Sequence, residues 1–411
     1  MTRTSRWRAL AINALVMLAS LLAVFVVLEI AARMYFRTHG RKGKEGRERT
    51  SYTLFDPTLG WRLRPNARAH YERGEYSTDV VINSLGMRDR ERPIVPSPGS
   101  FRILALGDSF VEGYTVSLDQ TVGQVIEHAL SGPRCPIEVI NAGVGGYSTD
   151  QECLLYRASG RRLGARVVLL FFFHNDLAPL IEANYYGAPK PLFVGDRHGG
   201  LALRTEHIRE SPPKPEASQP PKRGGGPRLR SAAWAWLSLR LSVGAPRLHD
   251  ALARWGFWEP VDRQPVNPEL KAFHLRPSND VLAAWWIADR LLAMLRREVE
   301  ADGARLLVVY VPARMEVDDR AWESACIQYS LLPERWSRQA VVRRLEESGR
   351  QGGFPVLDLT PALRAANVAP FRRTYLQFDA HWNARGHRVA GEAIVAYLRG
   401  AGLVPDCALP R

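Results

Sequence analysis

Cysteine is scarce in this chain. Only four of the 411 residues are cysteines, and no two of them form a C-x-x-C pair. The sequence therefore gives no sign of a zinc site or a dithiol redox motif of that kind. We expect Cys135, Cys153, Cys326 and Cys407 to be free and buried, although export would allow some of them to oxidise. No metal and no organic cofactor are expected.

Acidic residues are few relative to basic ones, with 42 Asp and Glu against 56 Lys and Arg and a formal net charge of +14. Such an excess is typical of nucleic-acid-binding proteins. Here the positive residues are spread along the chain, and no RNA- or DNA-binding motif accompanies them. Part of the excess flanks an N-terminal apolar segment, where it suits anionic lipid headgroups. We therefore expect no nucleic-acid partner.

That N-terminal segment, residues 9–36, is almost wholly apolar, and Glu29 is its only acidic residue. About 20 apolar residues suffice to cross a bilayer as a helix. A cleaved signal peptide is the alternative, but the run is long and no clean small-x-small cleavage site follows it. We predict an uncleaved, single-pass anchor over residues 1–36 that contacts membrane lipid. Because positive charge flanks both of its ends, the positive-inside rule does not decide its orientation.

Composition also divides the rest of the chain. Residues 37–100 hold a charged tether and then aromatic and β-branched runs broken by turn signals, which predicts a small β-rich lead-in. The main domain is expected over residues 101–411, with an insertion at about 204–279. The insertion begins with a Pro- and Gly-rich stretch and continues into a Trp-rich one. Its tryptophans are Trp234, Trp236, Trp255 and Trp258.

Three interpretations of the Trp-rich stretch are open. It could be a lid packed on the domain, a membrane-interface helix, or a platform on which sugars stack.

From residue 101 onward, short apolar runs alternate with helical patterns. The strand candidates are residues 102–106, 137–140, 166–172, 305–311 and 355–359. The helical patterns cover residues 121–130, 149–159, 280–300, 335–347 and 387–398. Alternating strands and helices with short apolar strands predict an α/β fold with a parallel sheet that is covered on both faces.

A Gly-Asp-Ser turn, residues 107–109, follows the first predicted strand. It presents the Ser109 hydroxyl at the edge of the sheet where open α/β proteins place their sites. A serine hydroxyl is a poor nucleophile until a base takes its proton. His381 is the candidate base, and Asp379 is the carboxylate that could orient it. His387 is a weaker candidate, because its position predicts that it belongs to the final helix.

Two further segments follow strands and could stabilise the oxyanion that such an attack creates. One is the Gly-rich turn at residues 141–148, which contains Gly146 and lets backbone N–H groups approach a ligand closely. The other is His174-Asn175-Asp176, where the Asn175 amide could donate a hydrogen bond. Each motif alone has an ordinary explanation as a turn or a cap. Their order, and their placement at successive strand ends, favour one shared site.

In this order the four motifs resemble those of the SGNH (GDSL-type) hydrolases, whose blocks supply a Ser, a Gly, an Asn and a His. The resemblance covers residues 101–180 and 305–403 and implies a flavodoxin-like, three-layer α/β/α sandwich. It implies that Ser109 is the nucleophile and a backbone oxyanion donor, that Gly146 is a second donor, and that Asn175 is a side-chain donor. It assigns the base to His381.

Two positions depart from the family pattern. Phe173 stands where the third block usually has a glycine, so an altered loop is expected. Asp379 lies two residues before His381 rather than three, and the resulting Asp-x-His-Trp is similar to the pattern of polysaccharide O-acetyltransferases in the same superfamily. The anchor and the element at residues 83–89 also resemble an exported, membrane-anchored bacterial subgroup. That likeness implies a catalytic domain on the periplasmic side of the cytoplasmic membrane.

The sequence thus predicts a serine esterase that acts on a small acyl ester, with the O-acyl groups of a cell-surface glycan as the expected substrate. Two alternatives remain. The same residues could serve an O-acyltransferase that moves an acyl group to a polysaccharide. A non-catalytic, glycan-binding protein of the cell envelope could also keep this fold.

Overall fold

The computed structural model describes residues 3–39, 51–132, 135–209, 231–258, 264–368 and 373–405. Most of the predicted tether and the Pro- and Gly-rich stretch lie outside these ranges, as does Cys407. The chain divides into two compact units, one of residues 1–42 and 217–261 and the other of residues 43–216 and 262–411. The domain boundaries expected at residues 36 and 100 stay predictions.

The larger unit contains all of the strands that the structure describes. They are β1 (Thr53–Asp56), β2 (Gly60–Leu63), β3 (Arg68–Glu72), β4 (Ser77–Val81), β5 (Phe101–Gly107), β6 (Ile137–Gly143), β7 (Val167–Phe173), β8 (Asn184–Tyr185), β9 (Ala188–Pro189), β10 (Leu192–Gly195), β11 (Leu201–Arg204), β12 (Arg305–Val311) and β13 (Val356–Asp358).

The helices are distributed over both units. They are α1 (Arg3–His39), α2 (Ser109–Glu112), α3 (Val122–Leu130), α4 (Thr149–Ala158), α5 (Ala232–Gly244), α6 (Pro246–Arg254), α7 (Asn279–Ala301), α8 (Arg314–Val317), α9 (Asp319–Tyr329), α10 (Ala340–Gly352), α11 (Thr360–Ala366) and α12 (Ala384–Gly400). Short 3₁₀ turns lie at Leu118–Gln120, Gly160–Leu163, His174–Asp176, Ala178–Ile181 and Pro268–Phe273.

A five-stranded sheet in the order β13-β12-β7-β5-β6 forms the centre of the larger unit. All of its neighbouring strands are parallel. When these five strands are numbered by chain position, the order is 2-1-3-4-5, the flavodoxin-like arrangement. Each of them coincides with a strand predicted from the sequence, so the α/β prediction is confirmed.

The strands are buried on both faces because helices cover both sides of the sheet. Alternate residues of β5 point to opposite sides: Leu104 joins a core with α4, α7 and α10, and Ile103 joins a second core with α3, α11 and α12. Continuous apolar strands such as residues 167–172, all buried, are what a sheet covered on both faces requires. The three-layer sandwich is therefore confirmed.

Two antiparallel hairpins, β1–β2 and β3–β4, precede the sheet. Their buried side chains, which include Tyr52, Leu63 and Val80, belong to the same core as one face of the sheet. The segment that links β3 to β4 carries Arg73, Glu75 and Tyr76. The hairpins are thus part of the catalytic-looking unit and extend to its cleft, as described below.

The smaller unit consists of α1, α5 and α6. Within α1, residues Ile12–Tyr35 form a segment of 24 residues that is long and apolar enough to cross a membrane. The side chains from residue 12 to residue 28 are all exposed. By these criteria α1 is a candidate membrane span, although a signal sequence has the same properties.

One expectation about cysteine is wrong. Cys135 is disulfide-bonded, whereas Cys153 is free and buried in the core between the sheet and α7. The two cysteines also differ in burial, because Cys135 is only partly buried just before β6, whereas Cys153 lies in the core.

Candidate active site

The turn that carries Ser109 is shaped by its neighbours. Asp108 caps α2, and its carboxylate accepts the Phe110 N–H at 2.9 Å. On the adjacent strand, a Cβ atom at Gly143 would lie 2.2 Å from the Glu112 backbone nitrogen. Only glycine therefore lets the end of β6 approach α2 this closely. The result is a serine fixed at the carboxyl edge of the sheet.

His381 reaches Ser109 from the other end of the chain. Its Nε2 lies 2.8 Å from the Ser109 Oγ, across 272 residues of sequence. The next residue, Trp382, is fully buried, and Asn383 caps α12 by accepting the Gly386 N–H at 3.0 Å. His381 is thus followed directly by a packed indole and a capped helix, which hold the imidazole at the sheet edge.

Asp379 completes a chain of hydrogen bonds. Its Oδ1 is hydrogen-bonded to the Nδ1 of His381, so the proton on that ring belongs on Nδ1 and Nε2 is left to accept from Ser109. The sequence motif Asp-x-His therefore places the carboxylate and the hydroxyl on opposite ring nitrogens. The structure brings together all three residues that the sequence predicted for this role.

The contact between His381 and Asp379 shifts the pKa values of both groups in the direction that favours their charged forms. Burial alone would lower the pKa of His381, but the hydrogen bond and charge of Asp379, together with the charge of Asp108, raise it above its ordinary value. Burial alone would raise the pKa of Asp379, but its contacts with His381 and the Tyr76 hydroxyl lower it below the ordinary range. An ionised carboxylate beside a basic imidazole is the arrangement that a general base requires.

Asn175 and Gly146 line the same cleft as Ser109 and His381. The Asn175 Nδ2 donates to Asp108 at 3.3 Å, and this amide has a second N–H. Gly146 has a φ of 74°, and the Glu112 carboxylate orients its turn by accepting the Gly145 N–H at 2.6 Å. Among the described residues, the N–H groups of Ser109 and Gly146 have no hydrogen-bond partner. The predicted oxyanion donors are thus gathered at one cleft.

Sequence reasoning missed two residues that hold the His381 loop. The Glu75 carboxylate accepts three backbone N–H groups of this loop, from Gln377 at 2.5 Å, Phe378 at 2.7 Å and Asp379 at 3.1 Å. Tyr76 donates its hydroxyl to the Asp379 Oδ2 at 3.0 Å. No local pattern could have identified either residue, because each lies about 300 positions from its partners in the sequence.

The loop itself needs this support. Ala380, between Asp379 and His381, has a φ of 65°, in the left-handed region that non-glycine residues seldom occupy. Such a conformation persists when surrounding contacts over-determine it. The Glu75 carboxylate, with its three N–H donors, supplies those contacts from the β3–β4 turn.

Removing the Glu75 carboxylate should therefore misplace the base without removing it. For Glu75→Ala we expect kcat for a small acyl ester to fall roughly 10- to 100-fold with little change in KM, since displacements of about 1 Å carry costs of this size. Glu75→Gln, which keeps one acceptor oxygen, should recover part of the loss. Steady-state kinetics provide the measurement, with Glu72→Gln on the exposed edge of the same hairpin as the matched control. Equal activity of Glu75→Ala and the control would contradict this role.

The cleft around these residues has a volume of about 720 Å³, within the range of small-molecule sites. Tyrosines form one wall: the rings of Tyr71 and Tyr114 lie 5.0 Å apart, and those of Tyr76 and Tyr114 lie 6.1 Å apart. Arg73 and Arg314 also line it. The cleft thus offers aromatic surface and positive charge next to the Ser109 hydroxyl.

The described residues contain no group of three or more His, Cys, Asp or Glu side chains arranged to hold a metal ion. His387, the weaker candidate base, is buried in α12, and its Nδ1 accepts the Val122 N–H at 3.2 Å. Burial lowers its pKa to about 3. It therefore holds α12 against α3, away from the chain of hydrogen bonds at Ser109.

Comparison with protein families adds a match over residues 282–407, to the family described as "SGNH hydrolase-like domain, acetyltransferase AlgX". This segment includes Asp379 and His381. This segment, about a third of the chain, is therefore similar to an SGNH hydrolase-like domain. The match indicates an ester-processing enzyme of the SGNH type. Among curated proteins, none matches the chain.

Solved structures of several esterases and lipolytic proteins are similar to this chain at low identity. A lipolytic protein of the G-D-S-L family from Desulfitobacterium hafniense DCB-2 is 10% identical, with 72% of this chain and 98% of that chain covered and a TM-score of 0.36. A lipase/acylhydrolase from Enterococcus faecalis is 14% identical, with 75% of this chain and 100% of that chain covered and a TM-score of 0.37. The acetyl xylan esterase AlAXEase is 11% identical, with 72% of this chain and 100% of that chain covered and a TM-score of 0.36.

Proposed function

We propose that this enzyme cleaves small acyl esters through a covalent acyl intermediate on Ser109. The observation that carries the proposal is the continuous chain of hydrogen bonds from the Ser109 hydroxyl through His381 to Asp379. A nucleophile, a base and an orienting carboxylate in hydrogen-bond contact are the recurring signature of activated serine catalysis.

The steps follow from the geometry. Nε2 of His381 takes the hydroxyl proton as the Ser109 Oγ attacks the acyl carbonyl. The resulting oxyanion accepts hydrogen bonds from the N–H groups of Ser109 and Gly146 and from the Asn175 amide. His381 then gives its proton to the leaving alcohol, and the acyl group stays on Ser109. In the second half, His381 takes a proton from water, the hydroxide attacks the acyl group, and the Ser109 oxygen leaves and regains its proton.

The substrate that we propose is an O-acylated glycan of the cell surface. The tyrosine wall formed by Tyr71, Tyr76 and Tyr114 supports this, because aromatic ring faces suit ligands that are partly apolar and partly hydroxylated. The volume of the cleft leaves room for a sugar beside the acyl group. The name of the matching family, an acetyltransferase, points to a small acyl group.

Transfer to a sugar hydroxyl is the second candidate function. It is favoured by the match of residues 282–407, with Asp379 and His381, to an acetyltransferase family. The first half of the reaction would be the same, and a sugar hydroxyl rather than water would then attack the acyl group on Ser109. Exclusion of water from the cleft during this step would favour transfer.

We also propose that the catalytic unit lies outside the cytoplasm, on the periplasmic side of the membrane. The disulfide at Cys135 supports this location. Disulfide bonds form and persist in oxidising compartments such as the periplasm and are rare in the cytosol. The candidate span in α1 would then tether the enzyme to the cytoplasmic membrane.

The acyl intermediate and its acceptor can be tested together on the full-length protein in detergent. A fluorophosphonate probe should label Ser109, as mapped by peptide mass spectrometry, and p-nitrophenyl acetate should be turned over. When a deacetylated glycan oligosaccharide is added, hydrolysis predicts that released acetate equals released nitrophenol. Transfer predicts nitrophenol in excess of acetate, together with an acetylated oligosaccharide. Absence of label on Ser109 in an active preparation would overturn the proposed intermediate.

A further inference from the structure

The α5 helix of the smaller unit combines an apolar composition with exposure. Its sequence is AAWAWLSLRLSVG, with Arg240 as its only charged residue, and none of its side chains is fully buried. Trp234 and Leu237 are 40% and 38% exposed. A helix that is apolar all round normally lies in a protein core or in lipid. The described protein residues do not provide such a core for α5.

Glu29 connects α5 to the candidate span. It lies inside the apolar segment of α1, and its carboxylate accepts the Ser231 hydroxyl at 2.7 Å and the N–H groups of Ala232 and Ala233 at 2.9 Å each. Arg33, one helical turn along, lies 2.6 Å from the same carboxylate. The one acidic residue of the span thus caps the N-terminus of a second helix.

These contacts satisfy two kinds of polar group that would be unfavourable in an apolar medium. An ionised carboxylate within a membrane segment is unfavourable unless it is paired. The unpaired N–H groups at the start of a helix are also unfavourable where no water can bind them. Glu29 and the first turn of α5 satisfy each other, and the Ser231 hydroxyl accepts the Trp234 N–H at 3.1 Å. The start of α5 can therefore lie at the depth of Glu29.

The position of α5 along α1 gives that depth. Glu29 precedes Tyr35, the last residue of the candidate span, by six residues, or roughly 9 Å of helix. Further along α5, the Arg240 guanidinium lies 5.7 Å from the centre of the Tyr35 ring and 5.0 Å from that of Trp236. Tryptophan, tyrosine and arginine are enriched where the hydrocarbon meets the headgroups. The α5 helix thus extends from inside the apolar segment to its boundary.

Between the two helices runs an apolar groove of about 420 Å³, and every residue that lines it is apolar. Phe25, Leu28 and Ala32 of α1 form one side, and Trp234, Trp236 and Leu237 of α5 belong to the other. The α6 end of the unit adds exposed aromatic side chains, with Trp255 82% and Phe257 49% exposed.

We propose that α5 and α6 form an interfacial helix pair that docks on the anchor within the lipid bilayer, and that a lipid acyl chain occupies the groove between α1 and α5. The proposal depends on α1 spanning the membrane and is independent of the chemistry at Ser109. It assigns the Trp-rich stretch to the membrane-interface interpretation. The Glu29 carboxylate is the contact that fixes the docking.

The test uses the full-length protein in phosphatidylcholine vesicles, with and without nitroxide-labelled lipid. A fluorophore is attached to Leu237→Cys on α5, to Leu18→Cys within α1, or to Arg350→Cys on the exposed end of α10. The signal of the labelled unsubstituted protein is subtracted. We expect lipid nitroxides to quench the Leu237 and Leu18 reporters at least about two-fold more than the Arg350 reporter, because quenching requires depth in the bilayer. Aqueous iodide should show the reverse order.

The role of Glu29 is tested in the Leu237→Cys background. Glu29→Ala should reduce lipid quenching of this reporter, whereas Ser20→Ala, a polar substitution more than two turns away on the same helix, should leave it unchanged. Two outcomes would overturn the proposal by different routes. A Leu18 reporter that lipid does not quench means that α1 does not insert. A quenched Leu18 reporter with a Leu237 reporter that behaves like Arg350 means that α5 stays in water.

Discussion

Replacing Ser109 with alanine should lower kcat/KM for a small acyl ester by roughly 10⁶-fold, as loss of the nucleophile does in other serine enzymes. In the proposed mechanism the Ser109 hydroxyl accepts the acyl group, and this hydroxyl lies 2.8 Å from Nε2 of His381. The loss should fall on kcat, because the proposed oxyanion donors and the tyrosine wall are unchanged and should still bind the ester. Steady-state hydrolysis of p-nitrophenyl acetate by the full-length protein provides the measurement.

Two controls make this result specific. Ser97→Ala changes an exposed serine in the loop before β5 and should retain full activity. Fluorophosphonate labelling should disappear in Ser109→Ala and persist in Ser97→Ala. If Ser109→Ala kept more than about a tenth of the activity, the measured hydrolysis would come from another group, since a nucleophile's loss costs far more than that.

Replacing Asp379 with asparagine should have the second-largest effect, a fall in kcat/KM of roughly 10³- to 10⁴-fold at neutral pH. The carboxylate holds the His381 ring with its proton on Nδ1. The amide nitrogen of asparagine would donate to Nδ1 of His381 and so favour the tautomer with its proton on Nε2. In that tautomer Nε2 cannot accept the proton of the Ser109 hydroxyl. The substitution also removes the negative charge that stabilises the imidazolium formed during attack.

The pH profile gives this variant a second readout. His381 must be neutral to act as a base, so wild-type kcat/KM should be lost as the pH falls through the pKa of His381. That pKa is raised, because the Asp379 contacts outweigh the effect of burial. In the Asp379→Asn variant those contacts are lost, and burial lowers the pKa of His381. The acidic limb of the profile should therefore move to lower pH.

A matched variant separates this charge effect from simple damage to the loop. Tyr76→Phe removes one hydrogen bond to Asp379 but keeps its carboxylate. It should lower the rate far less and leave the acidic limb close to its wild-type position. An acidic limb that stays in place in Asp379→Asn would mean that this carboxylate does not set the pKa of the base.

Several parts of the fold could be predicted from the sequence because local chemistry determines them. The five strands of the sheet are short apolar runs, and a strand covered on both faces requires such a run. Ser109, Asn175 and His381 follow strands or precede a helix at recognisable turns. Because the carboxyl ends of parallel strands lie at one edge of the sheet, the positions of these residues after successive strands were enough to predict that they lie close together.

Other parts depend on contacts between distant segments and have no local signal. The side chains of Glu75 and Tyr76 lie in an ordinary hairpin turn, and only the folded chain brings them to the His381 loop. The disulfide state of Cys135 is another example, because a thiol's burial and reach are set by packing. The pairing of Glu29 with the start of α5 joins residues about 200 positions apart.

The sequence by itself determined the type of sheet, the Gly-Asp-Ser turn at residues 107–109, the Asp379-x-His381 pair and the apolar segment, because each depends on a short stretch of residues. The tertiary structure decided how the His381 loop is held, what lines the cleft and where the Trp-rich helix packs. Those features arise when segments that are distant in sequence lose their bound water and contact one another. Such contacts depend on the three-dimensional positions of both segments, which no single stretch of the chain determines.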